Sequence, residues 1–113
     1  MSAAKKSMNP IPSTLRGKKR YIRFELICGS ALSEGEAKKA MYSAFSNLFG
    51  EQGIAQQKLW LLKWFSDKNA GIVRCSLPEL EQVKAGLLFI QQAGGQPVVP
   101  LIVAVSGSVG KLK

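Results

Sequence analysis

Histidine is absent from this chain, and the absence excludes a good deal of chemistry. Without it there is no Ser/His or Cys/His nucleophile pair, the commonest general base is gone, and most metal sites lose their usual ligand. Cysteine is scarce. Cys28 and Cys75 stand far apart in sequence, so each reads as a small buried hydrophobe rather than a metal ligand or half of a disulfide. Acidic residues number only seven and are scattered singly, which gives no carboxylate pair for acid–base work or a two-metal centre. Neither phosphate-loop pattern, G-x-x-x-x-G-K-[ST] or G-x-G-x-x-G, occurs. The reading is therefore of a chain with no catalytic residues, no metal site and no cofactor of its own.

Long apolar runs are missing too. The longest, Val98 to Val105, is interrupted by Pro100 and falls far short of the roughly 20 residues a membrane helix needs. The basic N-terminus is followed by no apolar stretch of signal-peptide type, so a cytoplasmic protein with no membrane partner is expected. At 113 residues the chain fits one domain that folds without metals or disulfides.

What the chain has is positive charge, placed at its ends. Before Glu25 there are seven cations and no acid, and Lys111 and Lys113 close the chain with two more. The seven cations between Phe24 and Gly110 are balanced by all seven acids, so the net charge of +9 belongs to the termini. A solvated tail is the plain reading of such charge. A basic arm on a neutral body also suits polyanion binding, and nucleic acid is the expected partner. The candidate RNA contacts are Arg16, Lys18, Lys19 and Arg20 from the arm and Lys111 and Lys113 from the tail.

Residues 1–19 mix Ser, Pro, Ala and Lys without periodicity and read as a mobile basic arm; residues 20–113 read as the folded domain. Arg20 to Cys28 alternates, with Ile22, Phe24, Leu26 and Cys28 on one side and Tyr21, Arg23, Glu25 and Ile27 on the other, so it reads as a half-buried strand. Ser33 with Glu36 forms a capping box. The apolar stripe Ala37, Ala40, Met41, Ala44, Phe45 and Leu48 continues that helix, and Gly50 is placed to end it. Lys58 to Phe65 and Ile72 to Ser76 read as two strands of a hairpin around SDKNAG. Ser76, Pro78 and Glu79 start a second helix with the stripe Leu80, Val83, Leu87 and Ile90, which Gly94 and Gly95 stop. Pro97 to Val105 is the last strand, and Pro100 puts it at a sheet edge or gives it a bulge.

The order β-α-β-β-α-β is the ferredoxin-like, or split-βαβ, pattern of an α+β domain: a four-stranded antiparallel sheet with two helices on one face. The other face is left open. RNA-recognition domains of this shape stack bases there, on aromatics of the central strands. Ile72 to Ser76 has no aromatic, and Tyr21 is the only one on the open side of the first strand, so stacking is not expected as the main mode of binding. Arg23 and Arg74 are expected to project from this face side by side as further RNA contacts. Alternation also assigns Ile27, Leu61, Phe65, Ile72 and several aliphatics of the last strand to it with Tyr21, apolar enough to predict a protein partner or self-association. Trp60 and Trp64, on the opposite register, read as core. The run Ser106 to Lys111 is either a frayed end or a small-residue segment able to approach a phosphate closely.

Four segments then form a pattern in order: LRGKKRYIRF (Leu15 to Phe24), LFGE-x-G (Leu48 to Gly53), GIVR (Gly71 to Arg74) and SGS (Ser106 to Ser108). Together they resemble the ribonuclease P protein component 2 family, whose archaeal members are related to subunits of the eukaryotic ribonuclease P and MRP particles. The resemblance covers nearly everything from Pro12 to Lys113. Ser108 stands where the family's triplet usually ends in threonine, which keeps the hydroxyl, and the lysine-bearing arm before Pro12 is longer than usual. The resemblance implies a subunit of the ribonucleoprotein that removes the 5′ leader from precursor tRNA. It implies that the catalytic RNA carries out the hydrolysis with magnesium, and that this chain works beside component 3 and other protein subunits. Two other classes compete: a stand-alone RNA-binding module of ribosomal or regulatory type, and a small acylphosphatase-like enzyme, for which the sequence supplies no phosphate loop.

Overall fold

Alternating apolar residues in Lys19–Ile27 form strand β1, which buries Ile22, Phe24 and Leu26 on one side. The computed structural model describes residues 17–113. The expected arm, with Lys5, Lys6 and Arg16, therefore lies almost wholly outside the described residues. Ser33 caps helix α1 (Glu34–Gln57) as its sequence predicts: its Oγ accepts from Glu36 N at 3.1 Å while Glu36 Oε1 accepts from Ser33 N at 3.0 Å.

Gly50 interrupts α1 rather than ending it. Its φ of 72° with ψ of 178° is a conformation that only glycine reaches cheaply, and the chain then re-enters a helix that runs to Gln57 before Lys58 turns left-handed. That extra segment buries Gln57, whose Nε2 donates to Gln82 Oε1 at 3.2 Å.

Strands β2 (Trp60–Phe65) and β3 (Ala70–Ser76) make the expected hairpin. A 3-10 turn at Leu77–Glu79 leads into α2 (Leu80–Leu88). Gly94 and Gly95, with φ of 58° and 77°, do not stop this helix. They form the two-residue turn of a small hairpin between β4 (Gln92–Ala93) and β5 (Gln96–Pro97), where positive φ at both positions matches the strand twist. Strand β6 (Val99–Ser106) completes the main sheet at its edge, with a register shift between its pairs to Arg23 and Phe24 that leaves Val103 unpaired.

The sheet order is β2-β3-β1-β6 with every pair antiparallel, so β1 and β3 are the central neighbours of a split-βαβ fold. Both helices cover one face. Met41 and Phe45 of α1 and Val83 and Leu87 of α2 join Ile22, Phe24, Leu26 and Val73 in one core cluster. Fully burying each such side chain is worth roughly 1.5–3 kcal/mol. The helices approach closely at Gly86, where a Cβ would lie 2.5 Å from Phe45 Cζ.

Candidate nucleic-acid interface on the open sheet face

The face opposite the helices is defined by pairing. Tyr21 lies across from Arg74 on one side and Ser106 on the other, and Arg74 lies across from Trp60. The next row runs Ala104, Arg23, Ile72 and Lys63, and the next Leu101, Glu25, Ala70 and Phe65. One register shift decides which β2 residues belong here. Leu62 falls between the pairs Leu61–Val73 and Lys63–Ile72, so Trp60, Lys63 and Phe65 share the open side while Leu61 and Trp64 turn to the core.

This bulge overturns two expectations. Leu61, expected on the open face, is 4% exposed within the core cluster, and Trp60, expected in the core, is 50% exposed. Lys38 Nζ, on α1, sits 5.2 Å from the Trp60 ring centroid, so the indole lies at the β2 edge within reach of the helix layer. Trp64 is a core residue as expected: its Nε1 donates to Leu32 O at 2.8 Å and its ring packs against Phe24.

The C-terminal segment is not frayed. A 3-10 turn at Val109–Lys111 brings Leu112 back to the sheet, where it is buried and its carbonyl accepts from Arg23 Nη1 at 2.8 Å. The same guanidinium lies 5.0 Å from the Phe65 ring centroid. Ile72, the cross-strand neighbour of Arg23, is wholly buried although it lies outside the helix-side core. Ile72 thus offers no docking surface, and Phe65 offers only part of its ring. Arg23 is engaged inside the protein.

The remaining expected cations gather at one end of the sheet, because β1 starts where β3 and β6 finish. Lys18 is exposed beside Lys19, which pairs with Ser76 in the row next to Tyr21 and Arg74. Arg20 Nη1 lies 3.3 Å from the position a Cβ on Gly107 would take, so the guanidinium stands beside the Ser106–Ser108 segment, where Ser108 N donates to Ser106 Oγ at 3.0 Å. Lys111 and Lys113 flank Leu112 over Arg23.

The opposite end of the same face is apolar. Ile27 is 52% exposed, Val99 63% and Leu101 47%. Sequence alternation names Ile27 and expects aliphatics of the last strand here without saying which; the β6 register selects Val99 and Leu101.

Elsewhere, a groove of ≈ 600 Å³ runs between α1 and the β4–β5 hairpin, lined by Glu36, Lys39, Ser43, Asn47 and Phe89 among others, with Glu36 held in the capping box. Cys75 is buried; burial, with the Glu79 charge adding to it, pushes its thiol up to about 11. Cys28 is only half-buried, accepting from Asn69 Nδ2 at 3.3 Å. Among the described residues no group of three or more His, Cys, Asp or Glu is placed to share a metal ion, and no helix is long and apolar enough to cross a membrane.

Topology and surface together define an α+β domain of the split-βαβ class with a cationic end to its open sheet face. The chain belongs to the Rpp14/Pop5 family, whose model matches residues 20–113. It is 32% identical over 108 residues to the ribonuclease P protein component 2 of Pyrococcus horikoshii, covering 96% of this chain and 90% of that protein. The protein of the same name from Archaeoglobus fulgidus is 35% identical over 106 residues, covering 94% of each chain. Among solved structures, a chain in the cryo-EM structure of yeast ribonuclease MRP superposes with a TM-score of 0.65 over 81% of this chain and 76% of that one. At 12% identity, that likeness concerns the fold alone.

Proposed function

We propose that this chain is a protein subunit of ribonuclease P that helps the catalytic RNA remove the 5′ leader from precursor tRNA. The observation that carries the reading is the cationic end of the sheet, where Lys18, Lys19 and Arg20 open β1 and Arg74 pairs with Tyr21 one row on, in a member of this family. Such a cluster binds phosphates and orders RNA without chemistry of its own. Hydrolysis belongs to the RNA, with magnesium held there rather than by this chain. The exposed apolar end around Ile27, Val99 and Leu101 suits a protein neighbour. Component 3 is the partner assigned to it, and self-association of the chain is the competing occupant. The complex works in the cytoplasm.

Reconstitution tests the reading. The catalytic RNA and candidate protein subunits are assayed on precursor tRNA with and without this chain, at limiting magnesium. Leader removal is expected to rise when the chain is added, and to be absent with the chain alone. Cleavage by the isolated chain, or no effect on the assembled enzyme, refutes the proposal.

A further inference from the structure

The two arginines on the open face are not equivalent. Arg23 is committed to Leu112 O and the Phe65 ring. Arg74 is half-buried, its Nε is buried with no hydrogen-bond partner among the described residues, and the ion pair present there, Lys84 with Glu81, does not involve it. An Nε–H buried without an acceptor is costly, and it favours a ligand that draws the half-buried guanidinium into a hydrogen bond. Its cross-strand neighbours are Tyr21 on one side and Trp60 on the other. Adjacent strands stand about 4.8 Å apart, so the row spans roughly 10 Å, a width over which sheet platforms stack two bases. The charge nearby is positive, from Lys19 in the next row and, across the β2 edge, Lys38 of α1 against the Trp60 ring. Glu25, the acid on this face among the described residues, lies two rows beyond.

We infer that Tyr21, Arg74 and Trp60 form a seat for unpaired RNA nucleotides, with bases stacked on the two rings and the Arg74 guanidinium bonding a phosphate or base edge between them. The inference rests on the reading of the chain as an RNA-holding subunit and names the kind of RNA it holds. Duplex RNA does not fit the seat, because its bases are already stacked and its readable edges lie in grooves. The aromatics come from the first and second strands rather than the third, which is why the usual sequence signature is missing.

The test uses the full chain and two RNA probes, a single-stranded hexanucleotide and a blunt duplex of the same length. Trp60 is half exposed while Trp64 is tied to Leu32 O, so quenching of tryptophan emission that disappears in Trp60→Phe reports contact at the seat. The single strand is expected to quench, and Trp60→Leu or Tyr21→Leu to weaken its binding by roughly 5- to 150-fold, the span that base–aromatic stacking covers. Trp60→Phe keeps a ring and restores most of the affinity. Arg74→Gln reduces the salt slope by about 0.7 per lost phosphate contact, and it carries the test if Trp60→Leu fails to fold. Unchanged single-strand affinity in these variants, equal losses on the duplex, or quenching by polyglutamate but not by RNA overturns the seat. The subunit reading is judged separately: a wild-type chain that stimulates leader removal while these variants bind single strands normally retains the function and loses the seat.

Discussion

Arg23 and Leu112, 89 residues apart in sequence, are joined by a 2.8 Å hydrogen bond from the guanidinium to the carbonyl, and this bond closes the C-terminus over the sheet. The bond is charge-assisted and partly buried, and it shields Ile72 together with Phe65. Arg23→Ala and removal of Leu112 with Lys113 are each expected to cost about 1–3 kcal/mol in urea unfolding. Both changes break one link, so the double variant is expected to be little worse than the worse single. Fully additive losses would show that Leu112 is held by something else. Arg74→Ala, by contrast, leaves the unfolding midpoint nearly unchanged.

Gly86 marks the tightest helix contact. A methyl there meets the Phe45 ring at 2.5 to 3.0 Å, and Phe45 is wholly buried. Gly86→Ala gains helix propensity of up to about 1 kcal/mol, but overpacking of a closed core costs about 1–3 kcal/mol, so net destabilisation is expected. Pairing it with Phe45→Leu relieves the clash and recovers part of the loss. Thermal unfolding of the two singles and the double decides it.

The cysteines differ in reactivity and in their effect on alkaline stability. Cys28 is half-buried, and Cys75 is buried with its thiol pushed up to about 11. At pH 8 a thiol reagent is expected to label Cys28 in the native chain and to reach Cys75 only on unfolding. The folded state holds the Cys75 proton above the roughly 8.5 of a free thiol. Its contribution to stability is therefore complete below that pH and lost as pH rises toward 11. The wild-type advantage over Cys75→Ala should shrink across that window, and a constant difference would contradict the burial argument.

Local chemistry was legible in the sequence where one segment determines its own form. The Ser33 capping box, the β1 alternation and the β2–β3 hairpin depend on neighbouring residues, and the β-α-β-β-α-β order follows from them. Errors arose where geometry depends on a partner strand. A single unpaired Leu62 exchanges the faces of Leu61 and Trp60, and no periodicity within KLWLLKWF announces it. Gly94 and Gly95 carry the same signal whether they stop a helix or turn a hairpin. Arg23 and Arg74 look alike in sequence, and only the return of Leu112 separates the guanidinium that has an acceptor from the one whose buried Nε has none among the described residues. The cationic end was legible in part as composition, since Lys18, Lys19 and Arg20 stand near the N-terminus, but the place of Arg74 one row beyond Lys19 is a product of topology.

Asn69 is where the hairpin turn holds the loop that feeds α1. Its backbone carbonyl accepts from Leu26 N at 2.9 Å, its Oδ1 accepts from Leu32 N at 2.8 Å, and its Nδ2 donates to Ser30 O at 3.0 Å. Its φ of 48° is left-handed, a conformation asparagine tolerates better than most residues. Leu32 is 1% exposed, so losing the Oδ1 acceptor leaves a buried amide unsatisfied at about 1–3 kcal/mol. Asn69→Asp keeps that acceptor and is expected to be the mildest change. Asn69→Gly loses the side-chain bonds but keeps the backbone relaxed, and Asn69→Ala loses the bonds and adds about 1–2 kcal/mol of left-handed strain. Unfolding free energies in the order Asp, Gly, Ala, from least to most destabilised, are the expected result. If Gly and Ala are equal, the turn relaxes out of the left-handed region on substitution, and the loop is held by its side-chain bonds alone.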